Sequence, residues 1–194
     1  MKNRKDYFFK KAKKEGYRAR SAYKLIILNK KYNLIKRNDK LLDIGCSPGS
    51  WLQASLKLVG KKGLVLGIDL NSIKEIKGVR FIQADIEKKW IIENIKSVSE
   101  IFDVIISDLS PKTTGIKELD AEKSIKLNER VLEIADKVLK ENGNLLLKVF
   151  HGPNFQDFLK KIRSIFRFVK CSKPEASRKE SKETYIIARE FKKI

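Results

Sequence analysis

The 194-residue sequence predicts an α/β fold: a doubly wound, mostly parallel sheet of seven strands with an antiparallel last strand. Three observations predict it. Short apolar runs alternate with longer stretches whose apolar residues recur at helical spacing. The first run, Leu41 to Ile44, ends in a turn holding Gly45, Ser47, Pro48 and Gly49. The last two runs flank a basic loop instead of a helix, which is the arrangement of an antiparallel hairpin.

Taken in order, residues 2–20 are basic with interleaved aromatics: Tyr7, Phe8, Phe9 and Tyr17. Lysines there can neutralise phosphates and rings can stack on unpaired bases; the alternative has Phe8 and Phe9 packing on the domain. Ser21 to Leu34 reads as a helix with Tyr23, Ile26, Ile27 and Leu34 toward the core. After the turn at Asn38–Lys40 and the first strand, Trp51, Leu52, Ala54, Leu56 and Leu58 form one helix face. Leu64 to Ile68 is the second strand and Val79 to Asp85 the third; residues 88–98 suit a helix. Ile101 to Ser107 is a nearly unbroken apolar strand. Asp120 to Lys140 is a long helix with Leu127, Val131, Ile134, Ala135 and Val138 on one face, stopped by Glu141–Asn144. Leu145 to Phe150 is the fifth strand and Asn154 to Phe166 a helix. The sixth strand begins at Phe168, residues 170–182 form a basic loop, and Thr184 to Ala188 is the last strand.

Composition bounds the partners. Hydrophobic residues make up 42% of the chain, enough for one domain over residues 1–194 with a real core. No apolar run reaches membrane-spanning length, and the basic N-terminus is not a secretory signal, so no membrane partner is expected. The two cysteines, Cys46 and Cys171, make neither a disulfide framework nor a metal pattern, which points to a reduced, cytoplasmic setting and no bound metal. The formal charge is +20, and residues 1–40 carry +12 of it. That concentration predicts a polyanion, RNA or DNA, on a basic N-terminal segment of about 35 residues.

Strand, glycine-rich turn and helix together open a nucleotide-binding unit, because glycine lets a ligand approach the backbone and the helix start offers unpaired N–H groups. Asp69 follows at about the twenty-residue offset expected of a ribose-binding carboxylate. The turn lacks the G-x-G-x-x-G of a dinucleotide site and the Lys-Ser/Thr of a P-loop. Its acid-x-Gly-x-x-x-Gly pattern resembles instead the first motif of class I methyltransferases, which bind S-adenosylmethionine. Gly49, Asp69, Asp85 and Asp108 all fall at or just after strand ends and are expected to converge. Asp85 suits the adenine edge, or else caps the next helix. Lys148 interrupts an apolar strand, where a lone lysine is costly unless partnered. Alternation could point it outward; alternatively it meets Asp108 on the neighbouring strand and serves as a general base. His151, the lone histidine, and Cys46, which has no evident base, are read as non-catalytic.

Arg18 to Leu25, Ser107 to Pro111, Leu147 to Phe150 and Glu183 to Tyr185, in that order over most of the chain, resemble the FtsJ/RrmJ-type RNA 2′-O-ribose methyltransferases. The resemblance implies a Lys-Asp-Lys-Glu tetrad at Lys24, Asp108, Lys148 and Glu183. It also implies S-adenosylmethionine as cofactor, S-adenosylhomocysteine as product, and cofactor contacts at Gly45, Ser47, Pro48, Gly49, Trp51, Asp69, Asp85 and Asp108. The segment Lys173-Pro174 with Ala176-Ser177-Arg178 is similar to the rRNA-modifying branch, which implies a uridine of large-subunit ribosomal RNA as target and a monomeric enzyme. Ser50 stands where the family usually has a second glycine, and Cys46 where alanine is common. Transfer RNA, an mRNA cap, or a non-catalytic role in ribosome assembly are the alternatives on the same fold.

Overall fold

The computed structural model describes residues 4–177 and 182–193. Its elements run α1 (Arg4–Lys14), α2 (Ala22–Tyr32), β1 (Lys40–Ile44), α3 (Ser50–Val59), β2 (Leu64–Asp69), β3 (Arg80–Gln83), α4 (Ile91–Val98), β4 (Phe102–Ser107), α5 (Lys117–Val138), β5 (Leu139–Phe150), α6 (Phe155–Ile165), β6 (Phe166–Ser172) and β7 (Glu183–Phe191). The strands form one seven-stranded sheet in the order β3-β2-β1-β4-β5-β7-β6. β1 to β5 pair in parallel, and β7 is antiparallel to both β5 and β6. The order reverses between β1 and β4, and open α/β sheets bind ligands beyond the carboxyl ends of the strands at such a point.

The apolar runs are continuous because the sheet is covered on both sides. Leu42, Leu66, Ile105, Leu145 and Leu147 meet Ile91, Val131, Ile134 and Phe158 of α4, α5 and α6. Their strand neighbours Leu41, Val65, Val104, Ile106 and Leu146 point the other way, onto Leu25, Leu28, Trp51 and Leu52 of α2 and α3. Every second residue therefore serves a different layer.

Several expected boundaries move. The basic N-terminus is a helix, α1, anchored by Ala12 against Tyr23 and Ala176, with Phe8 packed alongside and Tyr7 and Phe9 exposed. On α2 Ala22, Tyr23, Lys24, Leu25, Leu28 and Tyr32 are buried, so Tyr23 is in the core as expected, whereas Ile26 and Ile27 are half-buried beneath α1. Glu141–Asn144 does not stand between helix and strand: it is absorbed into β5, where the register to β4 jumps from Phe102↔Leu139 to Val104↔Asn144 and Asn142 adopts φ 59°. The expected 170–182 loop is shortened, because β6 pairs with β7 as far as Ser172↔Tyr185. Arg178, part of the rRNA-branch segment, lies outside the described residues.

Candidate active site

The turn between β1 and α3 carries two glycines at positive φ for two different reasons. Gly45 has φ +79°, and a Cβ there would fall 2.5 Å from Leu109 Cδ2. Gly49 has φ +100°, and a Cβ would fall 2.8 Å from Arg18 Nη1. The first glycine therefore lets the β4–α5 loop close over the turn, and the second admits an arginine. Arg18 donates to Pro48 O at 2.9 Å and to Glu75 O at 3.0 Å, and its backbone N–H donates to Gln53 Oε1 at 2.8 Å. Trp51 Nε1 donates to Ser21 O at 2.8 Å, and the Ser21 and Ser50 hydroxyls lie 2.7 Å apart. The segment joining α1 to α2 is thus fastened to the turn along its whole length. Ser50, unusual for the resembled family, is 2% exposed and used in this contact.

Beyond the carboxyl ends of β1, β2 and β4 lies a cleft of about 710 Å³. Gly45, Ser47, Asp69, Asp85 and Asp108 line it, and Leu127 closes it from α5. Its volume is in the usual range for a cofactor pocket. Asp69 Oδ2 accepts the Ser47 N–H at 2.9 Å, while Oδ1 accepts the Asn71 N–H at 2.8 Å and Nδ2 at 3.2 Å. A carboxylate has about four lone-pair sites, so beside these three donors Asp69 keeps room for one more. Asp85 does not cap the next helix, whose N-cap is Trp90: its Oδ1 accepts the Glu87 N–H at 3.0 Å in the turn before α4, and the side chain lines the cleft. Carboxylates, a close-approach glycine and this volume fit a nucleoside cofactor. Pro48, Gly49 and Trp51 lie off the cleft wall: Pro48 is exposed, Gly49 faces Arg18 and Trp51 is buried.

At the rim of this cleft two lysine–carboxylate pairs meet. Lys148, 4% exposed, donates to Asp108 O at 2.6 Å, with Asp108 Oδ1 at 3.2 Å. Lys24 Nζ lies 2.7 Å from Glu183 Oε2. Alternation along β5 turns Lys148 toward the α2 layer, and the antiparallel register sets Tyr185 opposite it and Glu183 opposite Phe150. Four elements (α2, the end of β4, β5 and β7) therefore bring the four expected residues together. Tyr185 links the pairs: its hydroxyl donates to Asp108 Oδ1 at 2.9 Å, and Lys24 Nζ sits 5.6 Å from its ring centre. Burial first, then the Asp108 and Glu183 carboxylates, push the Tyr185 hydroxyl well above its ordinary pKa, so it remains a donor. Asn128 Nδ2 donates to Lys148 O at 2.9 Å and holds the strand from the opposite layer.

Asp43, which the sequence singled out only as the acid of the turn motif, is fully buried, and neither carboxyl oxygen has a hydrogen-bond partner among the described residues. Burial first, then the nearby Asp108 and Asp69, raise its pKa well above the usual carboxylate range. A raised carboxyl favours the fold below its unfolded pKa and loses that contribution as pH rises toward the folded value. Asp43→Asn is therefore expected to raise the melting temperature by a margin that grows from pH 5 to pH 8. Each kcal/mol shifts Tm by about 2–4 °C in a chain of this size. Thermal unfolding across that range checks this; a pH-independent difference would contradict it. Burial, reinforced by Asp43 and Asp69, likewise pushes the Cys46 thiol up, against a nucleophilic role.

A model of the FtsJ-like methyltransferase family matches residues 17–191. The chain is 43% identical over 194 residues to the ribosomal RNA large subunit methyltransferase E of Archaeoglobus fulgidus, covering all of both chains. Among solved structures it is similar to one described as a ribosomal RNA methyltransferase from Plasmodium falciparum. That match has a TM-score of 0.83 and 30% identity, over 90% of this chain and 98% of that one. Aeropyrum pernix fibrillarin, solved with natively bound S-adenosylmethionine, is similar in fold alone, with a TM-score of 0.56 and 13% identity over 80% of this chain and 68% of that one.

Proposed function

The chain belongs to the FtsJ-like methyltransferase family, and from that premise we propose that it methylates a ribose 2′-hydroxyl, of a uridine, in large-subunit ribosomal RNA, with S-adenosylmethionine as cofactor. The observation that carries the reading is the pair of lysine–carboxylate contacts, Lys148–Asp108 and Lys24–Glu183, at the rim of a cleft lined by Asp69 and Asp85.

Asp69 and Asp85 hold the cofactor's ribose and adenine, Gly45 and Ser47 give its amino-acid end a close backbone approach, and Asp108 stands where cleft and tetrad meet. When bound, S-adenosylmethionine supplies an electrophilic methyl group. Lys148 draws the proton from the attacking hydroxyl. Asp108 O at 2.6 Å and Oδ1 at 3.2 Å hold its Nζ in place for that step. Asp108 orients that amine and is itself held by Tyr185. Lys24, steadied by Glu183, positions the hydroxyl. Much of the acceleration comes from holding nucleophile and methyl donor in line.

RNA engages α1 as well. Lys10, Lys13 and Lys14 are exposed on it, whereas Lys11 Nζ sits 4.9 Å from the Tyr23 ring centre. Replacing the three exposed lysines by Gln is expected to weaken RNA binding and to lower the slope of log K against log salt by about 2, at ~0.7 per single-strand phosphate. Cofactor affinity should stay unchanged. Titrations at several salt concentrations check this, and an unaltered slope would remove α1 from the interface. Among the described residues no helix is long and apolar enough to cross a membrane.

The substrate is tested by incubating the protein and labelled cofactor with ribosomal RNA, transfer RNA and capped mRNA in parallel. Label is expected in large-subunit RNA alone; preferential labelling of transfer RNA or cap would reassign the substrate.

A further inference from the structure

A second concavity, of about 420 Å³, lies beside the tetrad and shares no lining residue with the cofactor cleft. The first turn of α5 supplies Lys117 and Glu118, the β5–α6 turn supplies His151, and the start of β7 supplies Lys182 and Glu183. Glu183 is thus common to this basin and to the Lys24 pair. Among 44 lysines and arginines, exposed cations are ordinary on this surface. What distinguishes Lys117 and Lys182 is that they border a concavity next to the residues that hold the target hydroxyl.

We propose that this basin, on the 2′-O-methyltransferase reading above, is the subsite for the RNA phosphodiester adjoining the target ribose, held by Lys117 and Lys182, with His151 as a stacking platform for the neighbouring base. Chemical connectivity requires such a place. The 2′-carbon is bonded to the carbon bearing the 3′-phosphodiester, so a hydroxyl fixed at Lys24 and Lys148 delivers a phosphate within one nucleotide of Glu183. Of the two acids at the basin, Glu183 is paired with Lys24 at 2.7 Å, and the lining lysines Lys117, Lys173 and Lys182 outnumber Glu118 and the nearby Asp120 that attracts Lys182. The volume suits one nucleotide-sized group. The His151 ring packs on Phe155, with centroids 4.0 Å apart and planes at 36°, and remains exposed. A ring backed on one face and open on the other can stack on any base.

The test uses the full chain and a large-subunit RNA fragment containing the methylated nucleotide. Single neutral methylphosphonates replace, in turn, the phosphates on either side of it. For the wild type, one substitution is expected to raise the RNA KM about tenfold. Lys117→Ala/Lys182→Ala is expected to raise KM by a similar factor on unmodified RNA, to lower its salt slope by about 1, and to respond no further to that methylphosphonate. Its cofactor Kd should match the wild type. His151→Ala should raise KM several-fold and His151→Phe restore it. A double variant with wild-type KM, or one that still responds fully to the methylphosphonate, overturns the phosphate subsite, and His151→Phe behaving as alanine overturns the stacking role. Failure of the underlying reading is distinguishable, because the wild type would then transfer no methyl to the unmodified fragment.

Discussion

Lys148→Ala is expected to keep the fold, the cofactor and the RNA, and to lose nearly all methyl transfer. The side chain is 4% exposed and its Nζ contacts Asp108, so its removal touches the reacting end of the site. Removing one partner of a buried pair destabilises most when the remaining charge is stranded. Here Asp108 keeps the Tyr185 hydroxyl at 2.9 Å and a 21% exposed side chain, so folding should survive. Loss of a general base costs about a hundred- to ten-thousand-fold, and misalignment of the hydroxyl adds to that. Lys148→Arg should fail as well, because a guanidinium stays protonated and cannot take the proton. Glu183→Ala should be milder, since it acts through Lys24. Single-turnover transfer at saturating cofactor and RNA measures all three. Near-full activity in Lys148→Arg would reduce the lysine to a positive charge.

Asp69→Ala is expected to be the most damaging change for cofactor affinity. The carboxylate does two jobs: it organises the turn through Ser47 N–H and the following loop through Asn71, and it has one acceptor site left for a ligand hydroxyl. Loss of a charged hydrogen-bonding partner in such a place costs about 2–4 kcal/mol, equivalent to a thirty- to thousandfold weaker Kd. Asp69→Asn should lie between, because its carbonyl oxygen can serve some of these donors while its NH₂ opposes the Ser47 N–H. Calorimetric titration with S-adenosylmethionine decides; unchanged affinity with an intact fold would remove Asp69 from the cofactor site.

The fold was legible where one physical demand dominates. Leu41–Leu42, Val104 to Ile106 and Leu145 to Leu147 are apolar on successive residues, which only a sheet covered on both faces requires. The bound glycines and Lys148 were legible for the same reason, each breaking a pattern that packing alone would preserve. α1 was not, because Ala12 is its buried apolar anchor and the rest of its surface mixes lysine with exposed Tyr7 and Phe9. Glu141–Asn144 carries every turn signal and does bend the chain, but pairing with β4 resumes so soon that the turn becomes an irregularity within β5. In the site, Tyr185 is marked by the sequence only as the end of the matching segment Glu183 to Tyr185, with no role of its own. Its two-residue spacing from Glu183 along a strand, which puts both on one face, was the signal available. Asn128 and Arg18 gave no such signal: one lies mid-helix and the other in a basic run, and only the tertiary structure brings them to Lys148 O and Pro48 O.

The central claim is that the methyl group goes to a ribose hydroxyl. Its most direct test is alkaline hydrolysis of large-subunit ribosomal RNA labelled by the protein from methyl-tritiated S-adenosylmethionine. A 2′-O-methyl group removes the nucleophile that alkali needs, so the adjoining phosphodiester survives. The expected result is label in a single alkali-resistant dinucleotide whose 5′ residue is uridine, absent when Lys148→Ala is used. Label recovered in mononucleotides, as a methylated base would give, would contradict the account.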